Sequence, residues 1–144
     1  MAGEHRTELG GDEVIAKQEA RLKATLMKEL REHLLGAVTL RHEDRFTSGI
    51  PDISVTWHGR TTWWECKHAT PSLVSQGIQE LTLLRLAAAG HARYIVWQER
   101  RGVRRTMIVH PNRLRDLETE TTCPGFDMSW LVEQIRLAHL QNGA

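Results

Sequence analysis

Cysteine, lysine and single-sign charge are all scarce in this chain, and each scarcity removes a class of protein. Of 144 residues only two are cysteines. Cys66 and Cys123 stand far apart in no CxxC pair, which excludes a disulfide framework or a zinc knuckle and fits a reducing cytoplasm. No apolar run approaches the roughly 20 residues needed to cross a bilayer. The opening MAGEHRTELGGDE has no apolar signal core. A formal net charge of +1 gives no global field, so a nucleic-acid partner would have to be attracted by a local patch. There is no phosphate-cradling glycine loop, no GxSxG and no HExxH, and the eight histidines are scattered without metal-ligand spacing. Of nineteen basic residues, fifteen are Arg and four are Lys. Lys17, Lys23 and Lys28 lie in one predicted helix, and the only lysine after them is Lys67. A compact, deprotonatable ammonium therefore stands where guanidinium does the other basic work, and a reaction site can need that difference.

What is present is the composition of an ordinary globular domain, 40% hydrophobic and 26% charged. The polar, glycine-containing stretch 1–11 reads as a flexible N-terminus and 12–144 as one domain. From Asp12, a good N-cap, a helix is expected to about Leu35 with Gly36 as its stop. Its stripe is Ile15, Leu22, Leu26 and Leu30. Ala37–Leu40 reads as a strand, Arg41–Gly49 as a loop, and Ile50–Trp57 and Thr61–Lys67 as a hairpin turning at His58-Gly59-Arg60. Thr70-Pro71 opens a helix to Ala89, closed by Gly90. Ala92–Gln98 and Arg104–Val109 form a second hairpin, a short helix starts at Pro111, Thr119–Gly125 is a loop, and Met128–Leu140 is an amphipathic helix. The order α-β-β-β-α-β-β-α is mixed α/β, a sheet flanked by helices.

Chemistry concentrates in Gly49-Ile50-Pro51-Asp52, followed after twelve residues by Glu65-Cys66-Lys67. If His58 and Gly59 are the central turn residues, Asp52 sits opposite Glu65. If Gly59 and Arg60 are, Asp52 faces Lys67. Both registers place Asp52, Glu65 and Lys67 on one sheet face and turn Trp64 and Cys66 to the other. Two ionised carboxylates about 5 Å apart on neighbouring strands repel by on the order of 3 kcal/mol at an effective dielectric near 20. A counter-charge is therefore required. Lys67 supplies one, and a hard divalent cation would supply two more. Such a cation can sharpen a water nucleophile and offset charge growing on a phosphate.

The run GIPDISVTWHGRTTWWECK resembles the signature of the PD-(D/E)XK nuclease superfamily. The continuation SLVSQGIQELTLLRLAAAGHARYIVW is similar to its VRR-NUC branch, found as stand-alone phage or bacterial proteins. The likeness spans about 14–110 and leaves the tail from Pro111 unmatched. It implies a restriction-endonuclease-like core and a Mg2+-dependent endodeoxyribonuclease, with Mn2+ as a substitute ion. The metal ligands would be Asp52, Glu65 and the Cys66 main-chain carbonyl, with Lys67 catalytic. It also implies a further acidic residue from the first helix. Glu19, in the middle of that helix's apolar stripe, is the candidate, since a carboxylate there is costly unless paired. A helix glutamine is implied as well, Gln79 in preference to Gln76.

Further residues could contact DNA. Arg100, Arg101, Arg104 and Arg105 crowd the second hairpin tip, and Arg41, His42 and Arg45 precede the motif. The five tryptophans read as core, with Trp63 the candidate for base stacking because it shares the Glu65 face. One metal cluster cuts one strand at a time. A homodimer selective for branched DNA such as a Holliday junction is therefore expected, with the C-terminal helix (Trp130, Leu131, Ile135, Leu137) as its contact. The alternatives are a catalytically silent DNA-binding or assembly protein and an RNA-directed nuclease.

Overall fold

The computed structural model describes residues 2–43, 49–69, 77–114 and 121–140; the side chains of 2–13, 15 and 77–79 lie outside that description. The elements are α1 (Ala2–His33), β1 (Val38–Arg41), β2 (Ile53–Trp57), β3 (Arg60–Ala69), α2 (Gly77–Ala89), β4 (His91–Arg100), β5 (Val103–Val109), a 3-10 turn (Pro111–Arg113), β6 (Thr121–Pro124) and α3 (Met128–Leu140). The six strands lie side by side in chain order. Only the β3–β4 pair is parallel. Parallel neighbours need a crossover, and α2 lies between them in the chain.

Strand alternation divides the core. Trp64 and Cys66 of β3, with Ile95 and Trp97 of β4, pack under Leu26, Leu30 and Leu34 of α1 and Leu131 and Ile135 of α3. The opposite face sets Ala69, Tyr94 and Val96 against Leu83 of α2. Tyr94–Gln98 are buried without a break, because β4 is central and covered on both faces.

Several boundaries differ from expectation. α1 already begins at Ala2, so the stretch expected to be loose is helical from its second residue. Glu4, Arg6, Glu8 and Leu9 are good helix formers, and Gly10 and Gly11, at about 1 kcal/mol each, do not break the run. The expected loop at Thr119–Gly125 contains β6, paired antiparallel with β5 from Ile108↔Thr121 to Arg105↔Pro124. It is a largely exposed edge strand without apolar alternation, which left nothing for a pattern search to detect. The expected start of α2 at Thr70-Pro71 lies outside the described residues. His58 (φ 50°) and Gly59 (φ 72°) form a two-residue turn with two positive φ values, the kind that matches strand twist. This selects the register Trp57↔Arg60 through Ile53↔Trp64, the first of the two alternatives.

The last turn of α3 ties this hairpin down. His139 Nδ1 lies 3.1 Å from the Trp57 carbonyl, which can only accept, so Nδ1 carries the proton. Nε2 then accepts from the Thr62 hydroxyl at 2.9 Å, and Thr62 Oγ1 accepts from the Trp64 indole at 2.8 Å. Thr62→Val would leave both the Trp64 N–H and His139 Nε2 buried without partners. We expect a loss of about 2–4 kcal/mol in urea unfolding, largely restored by Thr62→Ser. A Thr62→Val protein as stable as wild type would show that this network does not hold the hairpin.

Candidate active site

The β2–β3 ladder ends at Ile53↔Trp64, whereas the β3–β4 ladder continues to Ala69↔Gln98. The second half of β3 therefore has a strand on one side and an open edge on the other. In a strand the N–H and C=O of one residue point the same lateral way, and alternate residues point to the same side. The Cys66 and His68 amides face the open edge, where carboxylates take them. Asp52 Oδ2 accepts from the Cys66 N–H at 2.9 Å, and the Glu19 carboxylate accepts from the His68 N–H. The Cys66 carbonyl faces the same gap by the same geometry.

The sequence explains how Asp52 reaches this position. Gly49 adopts φ 86°, which a side chain would strain, and the chain then passes through the buried Pro51. The Asp52 carbonyl accepts from the His42 N–H at 2.8 Å, tying it to the end of β1. One step beyond the last ladder pair, Asp52 stands opposite Glu65, and their carboxyl groups are hydrogen-bonded. From α1, Lys23 Nζ donates to Asp52 Oδ1 at 3.3 Å.

This arrangement alters the charges. Glu65 is 3% exposed. Burial, followed by the hydrogen bond and the negative charge of Asp52, pushes its carboxyl up to about 9. Burial would raise Asp52 too, but hydrogen bonds from Glu65, the Cys66 amide and Lys23 outweigh it and hold Asp52 below the usual carboxylate range. The repulsive pair expected from the sequence is thus one carboxylate and one carboxylic acid joined by a proton. Burial also raises Glu19, against the pull of Lys23 and Lys67. Lys67, half-buried, lowers both Glu19 and Glu65 electrostatically.

Glu19, Asp52, Glu65 and Lys67 are therefore neighbours, drawn from α1, the approach to β2, and β3. Sequence reasoning missed Lys23 and drew the counter-charge from Lys67 and a divalent cation. The signal was present, because Lys23 is four residues after Glu19 and so on the same helix face. The donor set is all oxygen, as a hard cation prefers. Asp52 and Glu65 touch, close enough to share an ion, while Glu19 stands further out. Among the described residues, the acidic group with all ligand atoms within 4.8 Å is Glu29, Glu32 and His33 on the outer face of α1. The i,i+4 bond of 3.1 Å between Glu29 and His33 accounts for that grouping.

Gln76 and Arg45 lie outside the described residues, and of Gln79 only its place in α2 is described. Arg41 is paired with Glu43 at 3.1 Å. His42 bonds Ser54 at 2.8 Å, and its ring lies 5.4 Å from that of the half-buried Trp63. Because β3 and β4 run parallel, the β4–β5 tip projects beyond the same end of the sheet as the carboxylates. At that tip Arg104 pairs with Glu99 at 3.4 Å and lies over Phe126, and Arg105 donates to Gln98 at 2.7 Å. Arg100 and Arg101 are exposed. Compared with known proteins, the chain matches no family model and no curated relative.

The Glu65 carboxyl has a sign-definite consequence for the metal-free protein. Its folded value is raised from 4.5 to about 9, so between these limits the folded state holds the extra proton. The resulting stability is full below pH 4.5 and is lost as pH rises through about 9, with a slope on the order of 1 kcal/mol per pH unit. The lowered Asp52 works oppositely, its contribution fading as pH falls below 3.8. In chelator, wild-type stability should decline as pH rises from about 4.5 to about 9, and Glu65→Gln should remove most of the decline. Parallel pH profiles for the two proteins would disprove the shared proton.

Proposed function

We propose that this chain is a metal-dependent nuclease of the PD-(D/E)XK type that hydrolyses DNA phosphodiester bonds. The observation that carries the reading is the convergence of Glu19, Asp52, Glu65 and Lys67 on the open edge of β3. Asp52, Glu65 and the Cys66 carbonyl would hold Mg2+, or Mn2+ in its place, with Glu19 completing the set. The ion supplies Lewis acidity at the phosphate and lowers the pKa of a water. Lys67 would orient or deprotonate the attacking water and offset charge in the transition state. Lys23 and the Glu65 proton neutralise the cluster until a cation does so. The mixed sheet with helices on both faces is compatible with a restriction-endonuclease-like core.

Selectivity for branched DNA by a homodimer belongs to the same proposal. Its contact is not the apolar stripe of α3, since Leu131 and Ile135 are fully buried in the protomer's own core. A panel of linear, nicked, flapped and four-way DNA, with single-stranded RNA beside it, distinguishes this reading from an RNA nuclease and from a silent binding protein.

Asp52→Asn, Glu65→Gln and Lys67→Met should each lower magnesium-dependent cleavage by about a hundredfold or more, with DNA binding retained. Glu19→Gln should raise the magnesium concentration giving half-maximal rate. Wild-type cleavage by Glu65→Gln would remove the site from consideration.

The tip arginines should differ in their contributions. Arg100→Ala with Arg101→Ala should flatten the log–log salt dependence of duplex binding by about 1.8, two phosphate contacts. Arg104 and Arg105 are already engaged within the hairpin, so their replacement should change that slope far less. Equal contributions from all four would show that the Glu99 and Gln98 contacts break on binding.

A further inference from the structure

Lys23 reaches the carboxylate cluster from α1, and its contact with Asp52 differs from the one that fixes Asp52 in place. Oδ2 of Asp52 is committed to the main chain, accepting from the Cys66 N–H at 2.9 Å. Oδ1 faces Lys23, whose Nζ stands 3.3 Å away. Charge-assisted N–H···O bonds close to about 2.7–2.9 Å, so this one is long. It secures no backbone group, and α1 is held over the sheet without it by Leu26, Leu30 and Leu34.

The pair lies at the mouth of the cluster. The side chains of Lys23 and Asp52 are 17% and 23% exposed, whereas Glu65 is 3% exposed. An unbranched, flexible stem lets the Lys23 ammonium move while its helix stays where it is. Lys67 has less freedom, because it is half-buried on a paired stretch of β3.

The oxygen that Lys23 holds is also the one a hard cation needs, since Oδ2 already serves the Cys66 amide. An ammonium and a divalent cation on one carboxylate oxygen repel, and the longer bond, with the smaller charge, yields. Lys23 then stands beside a bound cation with its own charge unmet. A phosphate oxygen would meet it, and an ammonium can take such an oxygen as a point donor.

We propose that Lys23 is a transferable counter-charge, bonded to Asp52 Oδ1 in the metal-free protein and passed to a phosphate oxygen of the polynucleotide when a divalent cation takes Oδ1. This assignment rests on the nuclease reading of the cluster and makes cation and polynucleotide bind cooperatively. Each favours the position of Lys23 that suits the other. Without a polynucleotide the ammonium has to be expelled with nothing to receive it, so Lys23 holds ion affinity down until a phosphate arrives.

The experiment compares the full wild-type chain with Lys23→Met and with Lys23→Gln, which keeps a donor for Asp52 but not the charge. Calorimetry with Mn2+ in the absence of DNA should show both variants binding the ion about tenfold more tightly than wild type, because no ammonium has to leave. Duplex DNA is then titrated in chelator and in Ca2+, an ion with the same preference for oxygen ligands. If the ammonium stays on Asp52, losing its charge weakens DNA binding alike in both conditions. If it transfers, Lys23→Met should cost about fivefold or more additional affinity in Ca2+. The log–log salt slope should fall by about 0.9 in Ca2+ and far less in chelator. No Mn2+ binding by any of the three proteins up to about 10 mM would end the nuclease reading and this proposal with it. Ion binding by wild type that both substitutions leave unchanged or weaken, or equal losses of DNA affinity in chelator and Ca2+, would overturn the proposal alone.

Discussion

The hydrogen bond from the Cys66 amide to Asp52 does the work of a strand that is not there. β2 leaves β3 after Ile53↔Trp64, and from that point the edge of β3 needs acceptors for amides that have left water. Asp52 takes one and Glu19 takes the next, at His68. Each carboxylate thereby fixes an element: Asp52 the approach to β2, Glu19 the crossing of α1 over β3. The groups best suited to chemistry are also the groups that close the sheet's open edge. This explains how a buried acidic cluster is tolerated. Asp52 and Glu19 each accept a main-chain hydrogen bond that an apolar replacement could not.

Charge within the cluster is settled locally. Two ionised carboxylates in contact would cost several kcal/mol, and the protein meets this with a proton on Glu65 and an ammonium from Lys23. Lys67 adds a more diffuse attraction. The two lysines that reach the site come from different elements, and both are lysine in a chain that otherwise favours arginine. An ammonium can approach a carboxylate oxygen as a point donor, whereas a guanidinium needs the width of its fork. In so crowded a cluster that difference decides which residue fits.

The centre of this site was legible in the sequence because hairpin geometry is nearly digital. A two-residue turn containing Gly59 permits few registers, and every one weighed puts Asp52, Glu65 and Lys67 on one face. Glu19 could be read for a related reason: a carboxylate within an apolar helical stripe has to be accounted for. Lys23 was not read, because its partner lies twenty-nine residues away and only the crossing of α1 over β3 brings them together. The proton on Glu65 was also beyond reach, since it depends on burial, which follows from how three elements pack. β6 escaped because an exposed strand carries no hydrophobic period. The same limit applied to the hairpin arginines. Four in six residues look like one patch, but Glu99, Phe126 and Gln98 divide them into engaged and exposed pairs.

β3 runs between two environments of opposite character. Its first residue, Arg60, lines a cavity with Arg93 of β4, and Glu65 and Lys67 belong to the carboxylate cluster. Between them Thr62 and Trp64 lock the strand to α3 through His139. The distance between the two environments is therefore set by a rigid, hydrogen-bonded strand and not by a loop. The separation also keeps guanidinium groups out of hydrogen-bonding reach of Asp52 and Glu65, where a bidentate arginine would compete with any cation for the same oxygens. Arginine at the first residue of the strand and lysine near its other end give the two ends different donor geometry.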